Sequence, residues 1–293
     1  MKVSIIGAGR LGGALAIALA RKGYEIENLV ARKPDNAKKI AEQITSQPKV
    51  LTPDELSEIS SDLIFITTQD FEIESVAENL AKNLQNRPFV FHTSGSLSSE
   101  ILKTLKKIGC KTGSIHPLVS ISDAVSGAKS FQDVYFCIEG DVEAIELAEK
   151  IASDLGGKSF SVSAKFKTLY HASAVTACGH LVALIDVAIE MLSKCGLDNA
   201  KSKEILLPLI SSTTENLKTQ TTSQALTGTF ARADAVIFEK HIEILKENVS
   251  REALEVYLQL GARSVHLAEV QGADAEKLEN LRNKISLAKK SFK

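Results

Sequence analysis

The chain has 293 residues, 44% of them hydrophobic and 24% charged, which is enough to bury a large core and predicts two domains. Its formal net charge of −1 favours neither a nucleic acid nor an anionic membrane as a partner. The first predicted strand starts at residue 2, so we expect no signal peptide, and four cysteines without a CxxC pair indicate reduced thiols in a cytoplasmic protein, with no disulfide framework and no metal site.

A glycine-rich loop follows the first predicted strand and runs into an apolar helix. In a dinucleotide site Gly7 would make the tight turn, Gly9 would let the backbone approach a pyrophosphate, and Gly12 would allow close helix packing. The phosphates would lie at the helix N-terminus. The surrounding strand and helix favour this interpretation over an ordinary glycine-rich turn. The predicted cofactor-binding residues of the loop are Gly7, Gly9, Arg10, Leu11 and Gly12.

A basic pair closes the second predicted strand, which spans residues 27–31. NAD-binding folds usually carry a carboxylate about twenty residues after the last glycine of the loop, where it holds the ribose 2′-hydroxyl. This chain has Arg32 and Lys33 there instead. A carboxylate would repel a 2′-phosphate, whereas a guanidinium can hold it bidentately, so the pair predicts NADP(H) over NAD(H). The alternative is a solvated basic turn before Pro34.

Strand and helix patterns alternate along the first half, as in a parallel βαβ sheet. A capping box from Thr52 to Glu55, with proline at the first helical position, predicts a short helix. Further strands are predicted at 50–51, 62–67, 89–92, 111–115, 135–138 and 159–162, and helices at 35–44 and 142–155. The pattern predicts an α/β fold, with a Rossmann doubly wound parallel sheet as an NADP-binding domain over residues 1–163.

Three predicted turns at the carboxyl ends of strands are candidate ligand loops, because ligands of open α/β sheets lie there. Small hydroxyl residues at Thr67, Thr68 and Ser94 would let a nicotinamide approach the backbone, and we predict that they bind the cofactor. Ser94 and His116 are also predicted to be catalytic. For Thr67 and Thr68 the alternative is turn chemistry and helix capping, and for His92 it is a place in the core.

From residue 164 onward the apolar spacing becomes helical. This predicts an all-α domain for substrate binding and dimerisation over residues 164–293. Gly196 and Gly272 are predicted to cap the C-termini of two of its helices. The predicted helices of this domain span residues 165–194, 203–218, 235–247, 251–271 and 275–290.

The longest apolar stretch of the chain spans residues 172–189. It contains two titratable side chains and therefore predicts a buried helix rather than a membrane span. Cys178 and His180 within it are interpreted as core residues.

The first helix of the second domain begins with three side chains that could take part in catalysis or substrate binding. Spacings of three and four put Lys167, Tyr170 and His171 on one helical face. Carbonyl or imine reduction needs one group to polarise the acceptor and one to deliver a proton, so Lys167 and His171 are predicted to be catalytic and Tyr170 to contact substrate. The alternative is a solvated lysine with tyrosine and histidine packed at a domain junction.

A loop over residues 227–234 interrupts two predicted helices of the second domain. Arg232 could clamp an anionic substrate, and Asp234 could bind substrate or merely cap the next helix and pair with the arginine. His241 lies two turns along that helix and is predicted to face the same cleft.

Taken together, these motifs resemble those of the bacterial Rossmann-like NADP oxidoreductases with a C-terminal helical domain of unknown function (DUF2520-type). These proteins are distantly similar to pyrroline-5-carboxylate reductase, ketopantoate reductase and the 6-phosphogluconate and 3-hydroxyacid dehydrogenases. The resemblance covers nearly the whole chain. It is carried by the glycine loop and by the segments 92–96, 114–118, 167–174 and 228–241.

The resemblance implies NADP(H) binding, a helical domain that forms a homodimer, and a reductase-type cleft. In hydroxyacid dehydrogenases a catalytic lysine precedes an asparagine by one helical turn. Lys167 looks like that lysine, but His171 stands where the asparagine is expected, and Gly179 replaces another frequent asparagine. These departures bear on the substrate rather than on the cofactor.

The sequence thus predicts an NADP(H)-dependent oxidoreductase for a small anionic keto or imino compound. Hydride would pass between the nicotinamide and the substrate carbon, Lys167 or His171 would handle the proton, and Ser94 with Arg232 would orient the acid. The competing hypothesis is a non-catalytic NADP(H)-binding sensor or scaffold. A flavin or deazaflavin as second substrate is a third alternative.

Overall fold

The computed structural model describes residues 1–291. Contacts along the backbone divide the chain into two compact units, Met1–Cys178 and Gly179–Lys293. Residues 164–178, predicted to begin the helical domain, are assigned to the first unit by these contacts. The functional boundary between residues 163 and 164 stays a prediction.

One eight-stranded sheet organises the first unit. Its strands are β1 (Lys2–Ile6), β2 (Glu25–Val30), β3 (Lys49–Leu51), β4 (Leu63–Ile66), β5 (Phe89–His92), β6 (Lys111–Pro117), β7 (Tyr135–Gly140) and β8 (Lys158–Phe160). Their order in the sheet is β3-β2-β1-β4-β5-β6-β7-β8, and neighbouring strands pair in parallel except β6 and β7, which are antiparallel. This confirms the predicted Rossmann-type sheet, although no sequence pattern predicted the reversed direction of β7.

Helices cover both faces of this sheet. The capping box predicted at Thr52 is present, but it starts a 3-10 helix, Pro53–Glu58, rather than an α-helix. Other short 3-10 turns are Asp70–Glu72, Ser99–Leu102 and Ala164–Phe166. The α-helices of the first unit are α1 (Arg10–Arg21), α2 (Pro34–Ala41), α3 (Ile73–Asn83), α4 (Lys103–Lys107), α5 (Ala124–Gly127), α6 (Val142–Asp154) and the beginning of α7 (Lys167–Ser193).

The central strands bury apolar side chains on both faces, as parallel sheets between helix layers do. Alternate residues point to opposite faces, so Ile5 and Phe65 belong to one core cluster and Ile6 and Ile64 to the other. Because apolar side chains pack against both faces of the sheet, the strands are held rigidly and their carboxyl ends have fixed positions. The candidate site is built on those ends.

The second unit is all α-helix, as predicted. Besides the end of α7, its helices are α8 (Asn199–Thr219), α9 (Thr222–Ala225), α10 (Gly228–Ala231), α11 (Ala235–Asn248), α12 (Arg251–Gln271) and α13 (Ala275–Lys290). Its core is formed by α11, α12 and α13 with the short helices before them. Gly272 has a left-handed φ of 91° and ends α12, which confirms the predicted C-cap.

The prediction that residues 172–189 form a buried helix is wrong for the isolated chain. They lie in α7. None of the residues in the most apolar stretch of α7 is buried, and Cys178 and His180 are exposed rather than in the core. By length and composition alone, the helical segment 164–193 could span a membrane. An apolar helical pattern predicts that the helix is buried against a partner, but it does not indicate that the partner belongs to the same chain.

Candidate active site

The glycine loop after β1 has the geometry that a dinucleotide requires. Gly7 has a φ of 102°, and a Cβ there would lie 2.7 Å from the amide nitrogen of Thr68. A Cβ on Gly12 would overlap Thr67 Oγ1 and the carbonyl oxygen of Gly7. A Cβ on Gly9 would instead meet nothing nearer than 3.9 Å, so it would project into open space. Gly7 therefore serves the turn and Gly12 the close packing, while Gly9 leaves room for the approach of a ligand.

Thr67 braces this loop from the end of β4. Its hydroxyl donates hydrogen bonds to the carbonyl oxygens of Gly7, at 2.8 Å, and of Ile6, at 3.1 Å. The amides of Gly7 and Ala8 donate to the carbonyl of Val30 at 2.9 and 3.0 Å. The loop is thus tied to the strands on both sides of β1.

The N-terminus of α1 opens where Gly9 leaves space. The first amide bonded back along the helix is that of Gly13, which donates to the Gly9 carbonyl at 2.9 Å. The amides of Arg10, Leu11 and Gly12 come before it and have no intrahelical acceptor, which is the usual state of a first helical turn. With the positive end of the helix dipole, they suit a pyrophosphate.

A cavity of about 800 Å³ lies along this loop, within the range of small-molecule and cofactor sites. The hydroxyl oxygen of Thr68, which lines it, is buried and has no hydrogen-bond partner among the described residues. The volume of the cavity is sufficient for an adenine nucleotide. The lining includes Gly7, Gly9, Val30, Arg32, Lys33, Thr67, Thr68, Glu72 and Val76.

The two cations predicted to bind a 2′-phosphate are both on the rim of this cavity. Lys33 is exposed and immediately precedes α2. Arg32 is also exposed, but it already has a partner, because its Nη1 atom lies 3.0 Å from Glu72 Oε1. No sequence pattern predicted a role for Glu72, because a single carboxylate in a polar turn looks like any other solvated residue.

A hydroxyl and carboxylate cluster follows β4 and β5. Ser94 and Ser96 both donate to Asp70 Oδ2, at 2.9 and 2.6 Å. The amides of Ser96 and Leu97 donate in turn to Ser94 Oγ, at 3.2 and 3.1 Å. Asp70 is exposed, so Ser94 is held in one orientation by a charge that faces solvent.

His116 at the end of β6 meets the first turns of α7. Its Nδ1 atom is 2.7 Å from the Tyr170 hydroxyl, and its ring centroid is 6.0 Å from that of His171. A Cβ on Gly95 would lie 2.7 Å from His171 Cδ2 and 2.9 Å from His116 Nε2, so only glycine fits there. The structure brings these predicted residues together, and Gly95 is a further one that the predicted loop contained.

Burial keeps this pair uncharged. Burial, assisted by the nearby His171 and Lys167, lowers the pKa of His116 to about 4. Burial also raises the pKa of Tyr170 well above its usual range. At neutral pH both side chains are therefore neutral hydrogen-bonding groups. Neutral imidazole and phenol can polarise a carbonyl or imine without carrying a charge.

Lys167 lies beneath the site and is fully buried. Its Nζ atom lies 2.5 Å from Ser114 Oγ and 3.3 Å from Glu139 Oε1. Glu139 also accepts hydrogen bonds from the amide and hydroxyl of Ser99, both at 2.7 Å. Burial lowers the pKa of Lys167, and the Glu139 carboxylate opposes that shift. The alternative of a solvated lysine is wrong, and in this conformation the ammonium has no open path to a ligand.

His92 is a core residue, as its alternative interpretation allowed. The amide of Ser94 donates to its Nδ1 atom at 3.2 Å, while its Nε2 atom is buried and has no partner among the described residues. Burial and the charge of Lys167 lower the pKa of His92 to about 3. The ring therefore stays neutral and supports the Ser94 backbone.

The second unit holds the three remaining predicted residues. Asp234 accepts a hydrogen bond from the amide of Ile237 at 3.0 Å and is the N-cap of α11, as its structural alternative proposed. His241 Nδ1 lies 2.7 Å from the hydroxyl of Tyr257. Arg232 is exposed just after α10. Their roles in substrate binding stay predictions.

No group of three or more potential metal ligands occurs among residues 1–291. The four cysteines are all free, with Cys110 and Cys137 buried and Cys178 and Cys195 exposed.

Comparisons with known proteins match both halves of the chain. A Rossmann-like domain matches residues 1–117, and the domain of unknown function DUF2520 matches residues 134–264. The chain is 25% identical over 118 residues to an NAD(P)+ glycerol-3-phosphate dehydrogenase from Enterococcus faecalis. That match spans 36% of this chain and about a third, 34%, of the enzyme.

Two solved structures share the fold over most of their length. A candidate NADP oxidoreductase, BF3122 from Bacteroides fragilis, is 23% identical with a TM-score of 0.73, covering 90% of this chain and 97% of that one. Pyrroline carboxylate reductase from Plasmodium falciparum, solved with NADP bound, is 15% identical with a TM-score of 0.59, covering 92% and 98%. The predicted combination of a Rossmann-like domain with a DUF2520 domain is thereby confirmed.

Proposed function

We propose that this chain, in which a Rossmann-like domain precedes a DUF2520 domain, is an NADP(H)-dependent oxidoreductase for a small anionic keto or imino compound. The observation that carries the proposal is the cavity along the glycine loop, with open space at Gly9 and cations on its rim. A bound nicotinamide cofactor would supply the hydride. Arg32 and Lys33 would hold its 2′-phosphate, and the first amides of α1 its pyrophosphate.

His116, Tyr170 and His171 are the side chains that we assign to the substrate oxygen or nitrogen. Because Tyr170 retains its proton, its hydroxyl can donate to His116 Nδ1, and the imidazole then carries its own proton on Nε2. His116 Nε2 lies directly beside Gly95, since a Cβ on that glycine would be 2.9 Å from it. We assign delivery of the reaction proton to His171 and a positioning role to the buried Lys167.

The nucleotide site is tested by a fluorescence titration with NADPH and NADH. We expect the wild type to bind NADPH more tightly than NADH, and Arg32→Glu to weaken NADPH binding by about 10- to 100-fold, because a charged hydrogen bond is lost and a repulsion is added. Arg87→Glu is the matched control, since Arg87 does not line the cavity. If neither nucleotide binds the wild type, the proposal is wrong.

Turnover is tested with a panel of small keto and imino acids followed at the absorbance of NADPH. Oxidation of NADPH by one of them, lost in His171→Ala, is the expected result. Tight NADPH binding without turnover, together with cellular function that survives His171→Ala, would instead favour the sensor or scaffold.

We also propose that the chain forms a homodimer through α7 and α8. In the second unit α8 exposes four large apolar side chains, and Val182 of α7 is 66% exposed. Exposed apolar side chains of this size favour an interaction site along these helices, and a second copy that presents the same helices would be a self-complementary partner. The four side chains of α8 are Ile205, Leu207, Leu209 and Leu217.

Sedimentation at micromolar concentration checks the dimer. The wild type is expected at twice the chain mass of 31.6 kDa, and Leu209→Glu at the mass of one chain. Leu287→Glu, at a similarly exposed leucine of α13, should leave the dimer intact. A monomeric wild type, or one that partitions into lipid vesicles, would contradict the proposal.

A further inference from the structure

Arg32 and Glu72 form an ion pair that crosses the mouth of the nucleotide cavity. Arg32 follows β2, and Glu72 ends the short turn after β4. In the sheet β2 and β4 are the two neighbours of β1. The segments that follow them therefore flank the glycine loop, which follows the carboxyl end of β1. The contact of 3.0 Å between Nη1 and Oε1 therefore spans the width of the loop. Both residues line the cavity.

The two partners differ in how freely they can move. The Arg32 side chain is 68% exposed, whereas that of Glu72 is only 21% exposed. Glu72 is also tied by its backbone, since its amide donates to the carbonyl of Gln69 at 2.9 Å and its carbonyl accepts from the Ser75 hydroxyl at 2.9 Å. Glu72 is thus the more buried partner on a hydrogen-bonded backbone, and the exposed guanidinium is the partner with more room to move.

We propose that Glu72 competes with the 2′-phosphate of the cofactor for Arg32, and that it is thereby a determinant of nucleotide affinity and preference. This inference rests on the proposed function, because it needs Arg32 to bind that phosphate. Glu72 contacts Arg32 through Nη1, so a phosphate that takes a bidentate face of the guanidinium including that nitrogen displaces the carboxylate. A phosphate bound through the other nitrogens shares the guanidinium with it. In both arrangements the carboxylate lies near a group that carries a charge of about −1.5 to −2, which adds a repulsion.

NADH imposes no such exchange. Its ribose 2′-hydroxyl is neutral, so Arg32 gains no stronger partner by leaving Glu72. Removing the carboxylate charge is therefore expected to help NADPH more than NADH, and the ratio of their affinities should rise.

The test is Glu72→Gln, measured by calorimetry with 2′,5′-ADP and 5′-AMP as probes of the adenosine end and with NADPH and NADH as whole cofactors. Low salt is used because screening weakens the effect. We expect 2′,5′-ADP and NADPH to bind roughly three- to ten-fold more tightly to the variant, since an exposed pair is broken and a repulsion removed. Binding of 5′-AMP and NADH should change by less than about two-fold.

Glu74→Gln is the matched control. Glu74 is two residues away and exposed, and its carboxylate lies 3.6 Å from Lys103, not near Arg32. Removing its charge should leave all four affinities within about two-fold, because exposed pairs contribute little. In an Arg32→Ala background the Glu72→Gln effect should also shrink, since no pair remains to be broken.

Unchanged or weaker 2′,5′-ADP binding by Glu72→Gln, or an equal gain in Glu74→Gln, would overturn the inference. If Arg32→Glu still weakens NADPH binding in that case, the proposed function stands and only the role of Glu72 is wrong. If the wild type binds none of the four nucleotides, both fall together.

Discussion

Replacing Lys167 by methionine is expected to lower the free energy of unfolding by about 3–5 kcal/mol. The ammonium is fully buried and lies between Ser114 Oγ and the Glu139 carboxylate. Methionine fills much of the volume but leaves Glu139 without its cation, in a place where its side chain is only 16% exposed. An unpaired buried charge costs more than the pair itself stabilises. Urea denaturation of both proteins at pH 7 measures the difference.

A double variant separates charge from packing. Lys167→Met/Glu139→Gln should lose at least about 1 kcal/mol less than the sum of the two single changes, because it leaves no orphan charge. Lys111→Met is the matched control, since Lys111 lies on β6, the strand that carries Ser114, but pairs with Glu143 at the surface. That change should stay within about 0.5 kcal/mol. A Lys167→Met variant as stable as Lys111→Met would contradict the buried pair.

The same double variant distinguishes two roles of Lys167. A proton donor must touch the substrate, and a lysine that only supports Ser114 and the start of α7 need not. If the folded double variant reduces the substrate with kcat close to that of the wild type, Lys167 serves the stability of the fold and is not the proton donor. A folded variant that binds NADPH but has lost turnover would return Lys167 to the catalytic role predicted from the sequence.

Gly12→Ala is expected to abolish detectable NADPH binding and to destabilise the first unit by about 1–3 kcal/mol. The new Cβ would overlap the Gly7 carbonyl oxygen, which belongs to the backbone and cannot rotate away. It would also displace the Thr67 hydroxyl that braces the loop. Both effects distort the turn to which we assign the pyrophosphate. Titration with NADPH and urea denaturation of the same sample measure the two losses.

Gly9→Ala is the informative comparison, because its Cβ would enter open space. We expect its unfolding free energy to stay within about 0.5 kcal/mol of the wild type, while NADPH binding weakens by at least about ten-fold. The two variants thus separate a glycine needed for folding from one needed for the ligand. Full-strength NADPH binding by Gly9→Ala would place the pyrophosphate elsewhere.

The sequence was most informative where a function needs special backbone. The roles predicted for Gly7, Gly9 and Gly12 agree with the geometry, since only glycine supplies a positive φ, an open approach and a close contact at that spacing. The capping box at Thr52 was equally readable, because its partners are three residues apart. Such local rules can be applied without knowing the fold.

Long-range partners were not readable. The carboxylates of Asp70, Glu72 and Glu139 engage Ser94, Arg32 and Lys167, and those pairs are 24, 40 and 28 residues apart. In the case of Glu139 the pairing depends on the reversed direction of β7, which brings it beside Ser114. A charged residue in a polar segment looks the same whether it meets solvent or a distant partner. Its partner is known only when the strand order is known.

The hydrogen bond from Thr67 to the Gly7 carbonyl joins residues 60 positions apart. During synthesis the glycine loop leaves the ribosome before β4, but it can take the shape seen here only after β4 has emerged and paired with β1. Until then β1, with four of its five residues destined for burial, remains an apolar segment in need of protection from other chains. The loop is therefore made before the strand on which its final shape depends.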